Sequence, residues 1–294
     1  MFYLNIYQTV ENMINKCYSY FIIKGQYPLS CATNIFSVDE TGDSWNIGDK
    51  KKYSNGRYDF AGWMTHKFEE KGDFSNEQFY SLMSVLSGKE TGINLLKEKH
   101  GVNTGVAIVP TVEANNSMYI KIPSALLKFC YETKTIIDID YYVADNKERI
   151  EFNSCCSYLL IRGCEDGKIA DQLCGIGIKN VFLDYLGNSY NSINGNLKSL
   201  VVAHYSEKET NAETVLHQTI ECLSPKIDAF KSIVDKYNLT VELQLSVQVV
   251  DQLSRPLISP SFKLIEFCNS LGIGFNVLIN GNHICDNCPD RKCL

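Results

Sequence analysis

No apolar run in this sequence approaches 18 uninterrupted residues, so no membrane-spanning helix is expected from it. Its start, "MFYLNIYQTVENMINKC", lacks the basic opening, apolar middle and small-residue cleavage site of a signal peptide. It reads instead as a short amphipathic helix over residues 1–17, with Ile6, Val10, Met13 and Ile14 at helical spacing. Proline is scarce, at 7 in 294 residues, and charged residues make up only 21%, which argues against a disordered chain. An excess of basic charge is also missing. The net charge is -6, and the halves divided at residue 150 carry -2 and -4, so neither is a basic module for nucleic acid.

Catalytic signatures are missing as well. The five histidines (His66, His100, His204, His217, His283) form no H-x-H or HExxH pattern, and no G-x-S-x-G, P-loop or GxGxxG occurs. "CGIGIKN" (174–180) has two glycines but no helix after it to present phosphate-binding amides, and reads as a turn. Lys50–Lys52 is too short a basic run for a nucleic-acid patch. Asp138 and Asp140 share one strand face with no partner motif, and read as a solvated edge. His217 lies beside an apolar helical stripe and is expected to pack there. No cofactor is expected.

What the sequence has is apolar material for a core, at 45% hydrophobic and 11% aromatic, and cysteine, at 12. Without an export signal, and with Cys155 and Cys156 adjacent, these read as reduced thiols of a cytoplasmic protein. Cys130, Cys174, Cys222 and Cys268 sit in apolar-periodic segments, where cysteine acts as a small buried hydrophobe. The tail "HICDNCPDRKCL" places His283, Cys285, Cys288 and Cys293 as H-x-C-x2-C-x4-C. A packed or unstructured tail is the first reading, and four donors completing a structural Zn²⁺ tetrahedron is the alternative.

The chain also repeats itself. "SYFIIKG" (Ser19 to Gly25) matches "SYLLIRG" (Ser157 to Gly163) at an offset of 138, and "PSALLKFC" (Pro123 to Cys130) matches "PSFKLIEFC" (Pro260 to Cys268) with its Phe-Cys pair at the same offset. "DETGDSWNIG" (Asp39 to Gly48) returns as "DYLGNSYNSI" (Asp184 to Ile193), with Tyr190 where Trp45 stood. This divides the chain into an N-terminal helix (1–17), a first repeat domain (18–146), a second repeat domain (150–281) and a Cys-rich tail (282–294), with the polar joint "ADNKER" between the repeats. In the second repeat Leu216, Ile220, Leu223, Ile227, Phe230 and Val234 step as one long amphipathic helix. Val241, Leu243, Leu245, Val247 and Val249 alternate as a half-buried antiparallel strand. In the first repeat Ser75 is the expected N-cap of the matching helix, with Gln78 its capping-box partner. Each copy is therefore expected to be α+β, a mostly antiparallel sheet with helices packed on one face.

The order "YFIIKG", "D…SWNIGD", "GRYDFAGW", long helix, alternating strand and "IPSALLKFCYE…IDIDYYV" resembles the bacterial domain-of-unknown-function family 4279. The residues that carry the resemblance are Trp45, Gly48 and Asp49, then Gly62 and Trp63. The second copy keeps less of the pattern. Members of that family look like small cytosolic proteins, and some resemble immunity proteins that neutralise a toxin delivered by a competing cell.

Two readings of the repeated stretch stand side by side. In one, Asp39, Asp43, Trp45 and Asp49, with Trp63 and Tyr190, form an exposed partner-binding surface, since Trp and Tyr favour interface hot spots and acidic neighbours would steer a basic toxin. In the other, Trp45 plugs the sheet edge while the aspartates cap a turn. Two diverged copies share apolar anchors rather than polar catalytic groups. The expectation is a non-enzymatic binding protein, an immunity protein that associates directly with a protein toxin. The alternative is a binder of a small, nucleotide-like ligand held between the repeats. An enzyme reading gains only if His, Asp or Cys side chains converge in one pocket.

Overall fold

A computed structural model describes residues 15–52, 54–113, 116–143, 154–162, 168–178, 182–184, 199–207, 212–221, 223–249 and 257–281. The N-terminal segment, the joint, most of the sister stretch including Tyr190, and the whole Cys-rich tail lie outside the described residues. The first unit runs β1 (Lys16–Gly25), α1 (Leu29–Thr33), β2 (Thr41–Trp45), β3 (Ala61–Thr65), β4 (Phe68–Lys71), β5 (Phe74–Ser75), α2 (Glu77–Leu86), α3 (Glu90–His100), β6 (Asn103–Val112), β7 (Ser117–Ile122), α4 (Ser124–Thr133), β8 (Ile136–Ile139) and β9 (Tyr142–Val143). The second runs β10 (Ser154–Arg162), α5 (Lys168–Gly175), β11 (Phe182–Asp184), β12 (Ser199–Glu207), α6 (Ala212–Glu221), α7 (Ile227–Tyr237), β13 (Thr240–Val249), α8 (Phe262–Leu271) and β14 (Phe275–Gly281).

The two sheets share one strand order. The first is β2-β3-β1-β6-β8, and the second begins β11-β12-β10-β13-β14 before β7 and β5 are added beyond β14. In each, the central hairpin-like pairs are antiparallel, while β8 and β14 lie parallel to β6 and β13 after crossing over through a helix. The sheets are thus mixed, and the alternation of β13 is that of a central strand with one antiparallel and one parallel neighbour. Alternate residues of β1, Cys17, Ser19, Phe21 and Ile23, face the helices and are fully buried. Phe21 meets Phe36 and Phe129 there, each at 5.9 Å between ring centroids.

Helix ends depart from the local reading. Ser75 is a strand residue paired with Ile120, and Asn76 precedes α2 without a side-chain cap. The orphan amides of Asn76 and Glu77 donate instead to the Glu70 carboxylate of β4, at 2.6 and 2.9 Å. Gln78 does reach back, but to the Ser75 hydroxyl. The long stripe of the second unit is two helices, since Pro225 lies in a 3-10 turn at Ser224–Lys226. The stripe still faces inward: Leu216, Ile220, Leu223 and Phe230 are buried on both sides of the break.

The units hold each other by exchanging segments. β7 leaves the first sheet and pairs antiparallel with β14, setting Ile120 opposite Val277. The equivalent segment before α8 bridges back, with Ile258 opposite Ile139 of β8 and the Ile139 amide donating to the Ile258 carbonyl at 3.0 Å. Ile258 follows Ile120 by 138 residues, and Val277 follows Ile139 by the same 138, so the two pairings are images of one another. Between them α4 packs on α8, with Tyr131 stacked on Phe262 at 5.4 Å. Buried residues of both units form one continuous cluster. The buried Asn15 amide secures the crossing point. It donates to Asp73 and to the Ser117 carbonyl and accepts from the Glu113 amide, which satisfies both ends of the group.

Candidate functional site

Within the stretch Asp39–Gly48, only Thr41–Trp45 is a strand, with a turn on either side. A 3-10 turn at Val38–Glu40 leads into β2, the edge strand of the first sheet, and Asn46 onward continues as an arm that returns to β3. Backbone bonds run along the arm: Gly48 N to Tyr58 O at 2.7 Å, Tyr58 N to Asp49 O at 2.9 Å and Lys51 N to Gly56 O at 3.0 Å. Gly48 takes φ 86°, a left-handed conformation that glycine adopts without strain.

Trp45 ends β2 opposite Gly62 of β3. A Cβ on Gly62 would come within 2.0 Å of the Trp45 ring, so the indole lies flat across the strand in space that only glycine leaves open. Tyr58 stacks on the same ring at 4.8 Å, and Phe60 meets both edge-on at 6.1 Å. The cluster is half-exposed, and Ile47 beside it is 52% exposed. Tyr58, Phe60, Gly62 and Met64 share one side of the returning chain by simple alternation. That signal was readable in "GRYDFAGW" but was overshadowed by Trp63.

The cluster continues onto the sheet face turned away from the buried residues of β1. Ile22 lies opposite Met64 and Gly105, and Gly105 lies beside Ile136, which is 62% exposed. Tyr18 and Tyr20 extend the face, with the Lys67 ammonium 4.3 Å from the Tyr18 ring. Asp138 sits at its border. Partial burial and then Asp140 raise its carboxyl above the usual range, and Lys24 opposes them. On the equivalent face of the second sheet Tyr158, Gln244, Asn276 and Lys121 form one row, flanked by Leu160 and the Arg162–Glu242 ion pair at 3.1 Å, and Gln244 and Asn276 are buried. Ala107 and Asp138 stand in the first sheet where Gln244 and Asn276 stand in the second.

The aspartates serve the arm itself. Asp43 pairs with Lys52 at 2.7 Å, and Asp49 accepts from the Asn46 amide at 2.6 Å. Asp39 is exposed, and its carbonyl meets the His66 ring at 2.9 Å. The arm presents Lys50, Lys51 and Arg57 beside the exposed Asp49 and Asp59, so its rim carries both signs of charge. Trp63 has no exposed surface. It stacks on Phe36 at 4.2 Å and donates from Nε1 to Thr41 Oγ1 at 3.0 Å, so burial removes it from any partner-binding surface. Tyr190 and the tail residues His283, Cys285, Cys288 and Cys293 lie outside the described residues.

Gly62→Ala is expected to drive Trp45 off the strand. The overpacking costs about 1–3 kcal/mol, and a red shift of tryptophan emission together with a lower melting temperature would report it. Unchanged emission would show that the ring has other room.

Elsewhere, Cys130 and Cys268 are buried as expected, Cys174 is exposed against expectation, and Cys222 lies outside the described residues. His217 meets Ser261 Oγ at 3.1 Å and Glu213 Oε1 at 3.3 Å. Both contacts fall on Nε2, and Ser261 also caps α8 by accepting from Leu264 N, so the trio has no relay geometry. Among the described residues no group of three His, Cys, Asp or Glu side chains could hold a metal ion, and no helix is long and apolar enough to cross a membrane.

No curated protein and no solved structure matches this chain. Residues 15–144, the first unit with its aromatic arm, match the model of DUF4279, a domain of unknown function.

Proposed function

We propose that this chain is a binding protein of the immunity type, which neutralises a toxin by direct association through its first unit. The reading rests on the half-exposed Trp45–Tyr58–Phe60 cluster, held open by Gly62 and continuous with an apolar sheet face. Large aromatic rings fixed in place before contact lose little freedom on binding, which is why they dominate interfaces. The partner's contact surface is apolar at its centre, with a rim of mixed charge to meet Lys50 and Arg57 on one side and Asp49 and Asp59 on the other. The common strand order and the repeated offset of 138 support descent of both units from one duplicated domain. The contact falls on the first unit because its sheet face is the one that borders the aromatic arm.

Co-expression with the toxin encoded beside this gene is the test. Wild-type chain restores growth and co-purifies with the toxin. Trp45→Ala combined with Tyr58→Ala loses both while the variant stays folded. Absence of a complex together with absence of rescue for the wild type would sink the reading.

A further inference from the structure

Cysteine and histidine converge at one place that the binding surface does not use. Cys31 lies in α1 and His100 in the last turn of α3, and Sγ stands 3.8 Å from Nε2. Both side chains are half-buried, so the pair is in contact with solvent. The strand and helix offsets place Ile169 of α5 and Tyr237 of α7 at the matching positions of the second unit. The left-handed caps that follow, Gly101 and Asn238, keep the same spacing. A short helix therefore packs on a long one in this fold without a thiol or an imidazole, and packing does not account for the pair in the first unit.

Three other thiols stand in a different environment. Burial pushes Cys17 up to about 11 and Cys268 up to about 12, and raises Cys130 further. Those three are fully buried, whereas Cys31 has both a route to solvent and a base within reach.

We propose that Cys31 is a reactive thiol, with His100 as its proton acceptor, and that it is modified by small disulfides. The thiol proton moves to His100. The Cys31 sulfur then attacks one sulfur of the disulfide, a new S–S bond forms and the old one breaks. The departing thiolate takes the proton from the imidazolium. Cys31 ends oxidised in a mixed disulfide, and half of the small disulfide leaves reduced as a thiol.

The test treats the full chain with glutathione disulfide and follows each cysteine by peptide mass spectrometry, with the exposed Cys174 as the reference. Cys31 reacts roughly 10- to 30-fold faster than Cys174, because an unassisted thiol is only a few per cent thiolate at neutral pH. His100→Ala lowers Cys31 to the reference rate, and added imidazole restores part of it. His100→Tyr, which carries the residue of the second unit, is equally slow while keeping the helix contact. A wild-type Cys31 no faster than Cys174 overturns the proposal, as does a wild-type rate in either variant. The readout needs no toxin, so it stands apart from the outcome of the rescue experiment.

Discussion

Trp63→Ala is expected to cost about 3–5 kcal/mol of stability, the usual range for deleting a large buried aromatic. The ring is fully buried, stacked on Phe36, and its N–H is bonded to Thr41 Oγ1, so alanine leaves a cavity and removes one hydrogen bond. A domain's whole stability is about 5–15 kcal/mol, so this single change removes a large part of it. Trp45→Ala should behave differently. Its ring is half-exposed and packs on Gly62 and the rings of the arm, so its loss is expected to cost about 1–2 kcal/mol, on the scale of partial apolar burial. Urea unfolding of both variants separates the two roles. Equal losses would mean that Trp45 is as structural as Trp63, and the binding surface would need to be redrawn.

The second large effect concerns the joint. A protease site placed between Val143 and Ser154, cut after folding, is expected to leave the two fragments together in one complex under native conditions. Six residues of β7 pair with β14, Ile258 bridges to β8, and α4 packs on α8, so the association does not depend on the covalent link. Ile120→Asp is expected to undo this. Ile120 is fully buried opposite Val277, and an unpaired carboxylate there costs several kcal/mol. Cut Ile120→Asp chain therefore separates into its fragments on size exclusion. Separation of the cut wild type would show that the exchanged segments are too weak to hold the units.

Much of the fold was legible because it is written in local periodicity. Strict alternation in 240–249 marked a strand whatever its neighbours, and the Leu216-to-Val234 stripe marked the inward face even though Pro225 splits it. Pairing direction was not legible. β13 has one antiparallel and one parallel neighbour, and alternation reads the same for both. The cap of α2 was misplaced for a related reason. Its acceptor, Glu70, comes from another strand, while the local Ser75–Gln78 pattern only imitates a capping box.

The site divides in the same way. Trp45 was found from its recurrence with Asp39–Gly48, but Trp63, equally rare and equally patterned, proved to be core. Identity could not separate them, because they sit on opposite faces of adjacent strands and a strand shows which face is inside only when its sheet is packed. Tyr58 and Phe60 join Trp45 only when the arm folds back, and Cys31 meets His100 only across 69 residues. By itself, then, the sequence determined the α+β class and the apolar faces, since each depends on spacing between near neighbours. Tertiary structure alone decided which tryptophan meets solvent, which sheet receives β7 and which thiol finds a base, since these are contacts between residues that chain order leaves far apart.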